Sequence, residues 1–152
     1  MTSASNAPVI LITGGGRGVG AATARLAAAQ GYDVAVSYAS NDAAARAVVA
    51  DVQAQGRRAL AVRADSADPE QVASLFDAVD REFGRLDVLV NNAAIIARQS
   101  RLEDLDFARI QRIFAVNSIG PMLCAQQAAR RMSQRHGGQG GAIVNVSSGA
   151  AR

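Results

Sequence analysis

The stretch VILITGGGRGVG, residues Val9–Gly20, decides the fold of this chain. Its first four residues are all apolar and three of them are β-branched, which is typical of a strand buried on both faces within a parallel sheet. Five glycines follow within residues 14–20, and an Ala-rich segment with helical spacing runs over Ala21–Gln30. The glycines therefore lie on a strand-to-helix turn. The expected buried face of the helix carries Val19, Ala22, Leu26 and Ala29.

A glycine-rich turn in this position is suited to binding phosphate. A side chain at Gly14 would obstruct the tight turn, and side chains at Gly16 or Gly18 would keep a phosphate away from main-chain N–H groups. The helix N-terminus adds unpaired donors and partial positive charge. The spacing fits Gly14-x-x-x-Gly18-x-Gly20 or Gly16-x-Gly18-x-x-Ala21, and we prefer the first because it places Gly14 directly after the strand.

Length and composition describe one globular domain. The chain has 152 residues, of which 49% are hydrophobic and 19% charged. Its first eight residues are small and polar, so we expect a frayed tail over residues 1–8 and a domain over residues 9–152. No apolar run approaches the length of a membrane span. The single cysteine, Cys124, excludes an internal disulfide and suits the cytoplasm.

The net charge of +3 raises the question of nucleic-acid binding. The sixteen basic residues are all arginines, scattered from Arg17 to Arg152 among acidic residues and without interleaved aromatics. A nucleic-acid surface needs a dense basic patch. We therefore expect neither a nucleic-acid partner nor a membrane partner.

Strand and helix signals alternate along the whole chain. Further strands are predicted over Asp33–Tyr38, Ala59–Arg63, Asp87–Asn91 and Ala142–Val146. Further helices are predicted from a cap at Asn41 or Asp42 to Gln55, from a cap at Asp68 to Phe83, and from about Glu103 to Arg135. This order predicts an α/β fold, a Rossmann-type doubly wound parallel sheet with five strands and right-handed crossovers.

Ligands of such sheets bind at the carboxyl ends of the strands, where the strand order reverses. All five segments at these ends are small or polar, which predicts a single site there. The segments are residues 13–20, 37–41, 64–66, 91–95 and 147–149.

At these segments the sequence resembles the short-chain dehydrogenase/reductase family, from Val9 to its end. Thr13–Gly20 resembles the family's Thr-Gly-x-x-x-Gly-x-Gly loop, and residues 91–94 resemble its Asn-Asn-Ala-Gly segment, departing only at Ala94. Residues 143–148 resemble the strand that delivers the family's catalytic serine. Asp65 matches the acid that hydrogen-bonds adenine in the family, although an ordinary turn residue is the alternative at that position.

The resemblance implies hydride transfer between a nicotinamide cofactor and a small carbonyl or secondary alcohol substrate. The implied catalytic residues are Ser148, which polarises the substrate oxygen, and Asn117, which holds a water in a proton relay. Ser147 competes with Ser148, because alternation along the strand lets only one face the substrate. Pro121 removes an N–H donor from the Asn117 carbonyl, so a simple packing kink is the alternative there.

The implied cofactor contacts come from the ends of four strands. They are Gly14, Gly16, Arg17, Gly18, Val19, Gly20, Ser37, Tyr38, Asp65, Ser66, Asn91, Ala93 and Ala94.

The end of the second strand indicates the cofactor. NAD-preferring sites carry an acid there for the ribose 2′-hydroxyl, whereas this chain has Ser37 and Tyr38 followed by Ala39–Asn41. The guanidinium of Arg17 can pair with a 2′-phosphate, or can simply point into solvent. These residues favour NADP over NAD.

The 152 residues lack the Tyr-x-x-x-Lys pair that completes the chemistry in the family. Their tyrosines are Tyr32 and Tyr38, and they contain no lysine. We therefore expect these residues alone to be inactive and to form the amino-terminal part of a longer reductase, with the fifth strand as an exposed edge. The alternative is a catalytically inactive nucleotide-binding or interaction module. The resemblance implies a homo-oligomer, a tetramer or dimer packed through the long helix.

Overall fold

The computed structural model describes residues 6–149. Most of the expected frayed tail, at residues 1–5, and also residues 150–152 lie outside the described residues. The Pro8 carbonyl accepts a hydrogen bond from the Asp33 N–H at 2.9 Å. Pro8 is therefore held at the edge of the sheet.

Strands and helices alternate through residues 6–149. The strands are β1 (Val9–Ile12), β2 (Asp33–Tyr38), β3 (Ala59–Arg63), β4 (Val88–Asn91) and β5 (Ala142–Asn145). The helices are α1 (Gly18–Ala29), α2 (Asp42–Ala54), α3 (Pro69–Phe83), α4 (Phe107–Phe114) and α5 (Gly120–Met132), and a π-helical turn over Ala115–Ile119 joins the last two.

The five strands form one parallel sheet in the order β3-β2-β1-β4-β5. All four residues of β1 are buried, as expected for its central place, and Leu11 pairs with Ala35 on one side and Leu89 on the other. The predicted Rossmann-type fold is confirmed. The strand order reverses between β1 and β4, which predicts a ligand site at their carboxyl ends.

Helices cover both faces of the sheet. Helices α1 and α2 pack on one face over a core that includes Ile12 and Val48, and α3 and α5 pack on the other over Leu11 and Phe76. The predicted caps are also present. The Asn41 side chain accepts from the Ala44 N–H, and the Asp68 side chain accepts from the N–H groups at positions 70 and 71.

The expected buried face of α1 is wrong. Val19 and Leu26 are 62% and 63% exposed, and Ala22 and Ala29 are exposed as well. The helix lies too close to the sheet and the glycine turn for large side chains, so its buried side consists of small residues. These are Gly20, Ala21, Ala24, Ala27 and Ala28.

The expected single helix over about Glu103–Arg135 is also wrong in its bounds. Helix α4 begins only at Phe107, because Leu105 is extended and the Asp106 side chain caps the helix by accepting from the Arg109 N–H at 2.8 Å. At the other end, α5 stops at Met132 and a 3₁₀ turn over Gln134–His136 follows.

Strand β5 lies at an edge of the described sheet, as expected. All four of its residues are exposed, and the Ile143 and Val144 side chains are among them. The strand is one residue shorter than predicted, although the Val146 N–H still donates to the Asn91 carbonyl at 2.9 Å.

Candidate active site

A cavity of about 550 Å³ opens at the carboxyl edge of the sheet, at the reversal between β1 and β4. Its volume lies in the range of about 300–1,000 Å³ that is usual for ligand sites. Four of the five predicted segments contribute to its wall. The lining residues are Gly14, Gly16, Arg17, Gly18, Val19, Ser37, Tyr38, Ala39, Ser40, Asn41, Ala44, Ala64, Asp65, Ser66, Asn92, Ala93, Ala94, Ile95, Arg112 and Val116.

Three glycines of the turn have different structural roles. Gly14 has a φ of 64°, and a Cβ there would lie 2.9 Å from the Ala93 Cα. A Cβ on Gly20 would lie 2.5 Å from the Gly14 carbonyl oxygen, so this glycine lets α1 pack against the turn and does not line the cavity. Gly18 has a φ of 52° and open space beside it. A side chain at Gly18 would fill space that the cavity offers to a ligand.

Thr13 and Asn92 connect the ends of β1 and β4. The Thr13 Oγ1 accepts from the N–H groups of Asn92 and Ala93, each at 3.0 Å. The Asn92 Nδ2 donates to the Thr13 and Gly14 carbonyls at 3.0 and 3.1 Å. These bonds hold the glycine turn and the segment after β4 as one unit.

Ser37 supports the glycine turn from inside the protein. Its buried side-chain Oγ accepts from the Gly14 N–H at 3.3 Å, and its carbonyl accepts from the Gly15 N–H at 2.9 Å. The hydroxyl of Ser37, which the sequence predicted as a cofactor contact, thus bonds the glycine turn.

Asp42, which the sequence suggested only as a possible helix cap, places a carboxylate close to the end of β2. The Tyr38 hydroxyl donates to the Asp42 Oδ1 at 2.5 Å, and the Arg46 Nε donates to the Asp42 Oδ2 at 2.5 Å. The bonds from Tyr38 and Arg46 hold the pKa of Asp42 below its ordinary value. The i,i+4 spacing of Asp42 and Arg46 on a helix was the available signal for this pair.

Asp65 and Arg112 form an ion pair on the cavity wall. The Asp65 Oδ2 lies 2.9 Å from the Arg112 Nη1, and its Oδ1 accepts from the Ala67 N–H at 2.9 Å. Partial burial opposes ionisation of Asp65, but the Ala67 N–H and the Arg112 guanidinium outweigh it and lower the pKa of the carboxyl. Sequence reasoning missed Arg112, because nothing local in the sequence links positions 65 and 112.

Asn117 lies in the π-helical turn between α4 and α5. The Gly120 N–H bonds the Ala115 carbonyl five residues earlier, and Pro121 has no N–H to donate. The Asn117 side chain accepts from the Ile95 N–H at 2.8 Å and donates to the Ile95 carbonyl at 2.9 Å. It therefore fixes the segment after β4 against the helix, and its neighbour Val116 lines the cavity.

Two further predicted residues lie off the cavity wall. Asn91 is buried, and its Nδ2 donates to the Pro121 carbonyl at 3.2 Å and to the Asn145 Oδ1 at 3.0 Å. Ser148 follows β5, and both it and Ser147 are exposed. The structure thus brings most predicted cofactor residues together but leaves Gly20, Asn91, Asn117 and Ser148 outside the lining.

The family model for short chain dehydrogenases matches residues 8–152. The chain belongs to this family. YgfF, an uncharacterized oxidoreductase of Escherichia coli, is 45% identical over 144 residues, which cover 95% of this chain and 58% of that relative. L-rhamnose 1-dehydrogenase (NAD(P)(+)) of a Sphingomonas species is 40% identical over 139 residues, which cover 91% of this chain and 54% of that enzyme.

A short chain dehydrogenase from Burkholderia cenocepacia, solved in complex with NADP, has a TM-score of 0.88 and 45% identity to this chain. The match covers 95% of this chain and 56% of that structure. This short-chain dehydrogenase sequence therefore spans a little more than half the length of the relatives it matches.

The cavity of this short-chain dehydrogenase fits the phosphates of a dinucleotide. The N-terminus of α1 faces it, and the first N–H groups of a helix have no partner within the helix. Arg17 is exposed and lines the cavity next to Gly18, where a side chain would meet no other atom. Positive charge, N–H donors and room for the ligand therefore coincide.

Among residues 6–149 there is no group of three or more His, Cys, Asp or Glu side chains that could hold a metal ion. In the same range, no helix is long and apolar enough to cross a membrane.

Proposed function

We propose that this chain is the cofactor-binding part of an NADP-dependent short-chain dehydrogenase acting on a small carbonyl or secondary alcohol. The observation that carries the proposal is the cavity at the β1–β4 reversal, whose glycine turn, helix N-terminus and Arg17 suit a phosphorylated dinucleotide. The nicotinamide, when bound, supplies or accepts the hydride.

The wall of the cavity divides into regions along the dinucleotide. In the proposal, Gly16, Gly18 and the N-terminus of α1 bind the pyrophosphate, and Val19 closes the rim beside them. Tyr38 borders the ribose that carries the 2′-phosphate. The other cofactor contacts lie at the ends of β3 and β4. Asp65 and Ser66 contact the adenine, and Ala93 and Ala94 contact the nicotinamide half of the cofactor. Asn91 is buried behind Ala93 and Ala94, where its bond to the Pro121 carbonyl supports this segment.

Ser148 and Asn117 have the catalytic roles in the proposal. The Ser148 hydroxyl donates to the substrate oxygen, and Asn117 supports a proton relay through a bound water. These 152 residues contain no lysine, and their two tyrosines, Tyr32 and Tyr38, both precede β3. In the proposal, the proton-transferring pair comes from outside them, and we expect the 152 residues alone to bind nucleotide without turnover.

The charges near the end of β2 favour NADP over NAD. Arg17 is exposed beside the cavity, whereas Asp42 is paired with Arg46 and does not line it. A paired carboxylate repels a 2′-phosphate less than a free one, and a guanidinium binds phosphate through a bidentate fork.

We also propose a homo-oligomer in the cytoplasm. Exposed apolar side chains lie along α4 and α5, with Phe107 at 72%, Phe114 at 61% and Met122 at 70%. A patch of this kind is typical of a protein interface. The cytoplasm keeps thiols reduced, which suits the free and buried Cys124.

The proposal is tested on the protein expressed from its complete gene. We expect an intact mass above 15.7 kDa, tighter binding of NADPH than of NADH in fluorescence titrations, and oxidation of NADPH with some member of a carbonyl panel. Failure to bind either nucleotide would contradict the proposal. Binding without turnover on the whole panel would favour the second candidate, an inactive nucleotide-binding module, which the missing Tyr-Lys pair motivates.

A further inference from the structure

Arg112 is the one charged residue of α4 that lines the cavity. It lies on a different element from the predicted nucleotide-binding segments, and it reaches the end of β3 through its 2.9 Å contact with Asp65. Arg112 is half exposed and the Asp65 side chain is one-third exposed. Pairs of this exposure are often mobile and contribute little, so the surroundings decide whether this one is fixed.

The Asp65 side chain and the helix that carries Arg112 are each held by neighbouring residues. The Asp65 Oδ1 accepts from the Ala67 N–H at 2.9 Å, and the Asp65 N–H donates to the Gln71 Oε1 at 2.9 Å. Arg112 is one turn ahead of Val116, which is buried, and five residues ahead of Asn117, which is bonded to Ile95. The helix that carries the guanidinium is therefore anchored next to the cavity.

The pair leaves part of the carboxylate available to a ligand. A carboxylate has about four acceptor positions, and the Ala67 N–H and Arg112 use one on each oxygen of Asp65. The remaining positions accept from N–H groups and repel a carbonyl oxygen. An adenine presents an exocyclic amine, whereas hypoxanthine presents a carbonyl oxygen at the same ring position.

We propose that Arg112 is a positioning residue that orients the Asp65 carboxylate for recognition of the adenine amine. This inference rests on the proposed function, because it takes the ligand of the cavity to be an adenine dinucleotide. Arg112 itself acts through Asp65 and touches no reacting atom.

The test compares NADP with its hypoxanthine analogue, nicotinamide hypoxanthine dinucleotide phosphate. Dissociation constants for both are measured by calorimetry on the full-length protein and on its Arg112→Gln, Arg112→Lys and Asp65→Ala variants. Arg25→Gln is the matched control, because Arg25 also forms a half-exposed ion pair, 2.7 Å from Asp51, and does not line the cavity. Melting temperatures of all variants monitor folding.

We expect the wild type and the Arg25→Gln control to prefer NADP by about tenfold, the size of a hydrogen bond to a charged group. Arg112→Gln and Asp65→Ala should reduce this preference to about threefold or less, whereas Arg112→Lys should retain most of it. A general loss of structure would lower both affinities together and leave their ratio unchanged.

The ratio of the two dissociation constants distinguishes failure of the positioning role from failure of the proposed function. If Arg112→Gln weakens both nucleotides equally, or if the wild type does not distinguish them, the positioning role is overturned while the proposed function stands. If the wild type binds neither NADP nor NAD, the proposed function fails and this inference fails with it.

Discussion

At the scale of single residues, the charge that a ligand meets in or near the cavity depends on whether each ionic group is paired. Asp42 is paired with Arg46 and Tyr38, and Asp65 is paired with Arg112. Arg17 is exposed, its side chain forms no capping hydrogen bond to α1, and the neighbouring Gly18 has open space beside it. Of the two arginines that line the cavity among residues 6–149, Arg112 is paired with Asp65, so the charge of Arg17 is the one available to a ligand phosphate.

Substitution of Arg17 should change cofactor preference more than overall nucleotide affinity. We expect Arg17→Ala to weaken NADPH binding by about tenfold or more, because it removes hydrogen bonds to a charged phosphate. NADH lacks that phosphate, so its affinity should change by less than about twofold. Fluorescence titration of the full-length protein measures both, and Arg25→Ala provides a control of similar chemistry away from the cavity. Equal losses for the two nucleotides would show that Arg17 does not bind the 2′-phosphate.

At the scale of elements, the cap of α3 shows how local chemistry sets a helix boundary. Asp68 accepts from the Glu70 and Gln71 N–H groups at 2.9 and 3.2 Å, and Pro69 occupies the first helical position. The bonds from the Gln71 side chain and N–H hold the pKa of Asp68 below its ordinary value of 3.8. The ionised cap therefore stabilises the folded chain above that value.

Asp68→Ala should lower the midpoint of urea unfolding at pH 7, because two N–H groups of the helix lose their acceptor. The native pKa of Asp68 is depressed, so its contribution is present above the unfolded pKa and is lost as the pH falls through the native one. The difference from wild type should consequently shrink as the pH falls below 4. Asp68→Asn keeps an acceptor without the charge and should lose less. A difference that stays constant between pH 7 and pH 3 would contradict the role of the ionised carboxylate.

The elements that could be predicted from the sequence are those with local signals. Strand β1 was predictable because a continuous apolar run suits a strand buried on both faces, and α3 was predictable from Asp68 and Pro69. The buried face of α1 was not, because residue size suggested Leu26 inside, whereas the helix packs so closely that alanines such as Ala24 fill the contact. Tertiary proximity overrode hydrophobic periodicity there.

In the candidate site, too, features with a local sequence signal were predictable and those set by tertiary packing were not. The glycine turn can be recognised from the five glycines within residues 14–20. The segment after β4 can be recognised because it is polar where the strand ends. The ion pair between Asp65 and Arg112 joins positions that only the packing of α4 brings together. The sequence around Asp65 and around Arg112 contains no signal that predicts their contact, so the pair could be found only from the structure.

At the scale of the whole molecule, the sheet formed by residues 6–149 has an exposed edge at β5. Strand β5 pairs with β4 on one side, and all of its residues are exposed. Unpaired N–H and carbonyl groups on an apolar edge strand provide a template for pairing with another chain. The relatives that this chain matches are longer, with 54–58% of their length covered for YgfF and L-rhamnose 1-dehydrogenase.

The 152 residues expressed alone should therefore self-associate through β5. We expect light scattering of this chain to rise with concentration, and Val144→Lys to suppress the rise, because a lysine on an edge strand disfavours strand pairing. Val144 is 49% exposed, so the substitution should change stability little. Leu26→Lys is the matched control, since Leu26 is 63% exposed on a helix and offers no strand edge. Equal suppression by both substitutions would attribute the association to net charge or general apolar exposure, and no suppression by Val144→Lys would exclude the β5 edge as its cause.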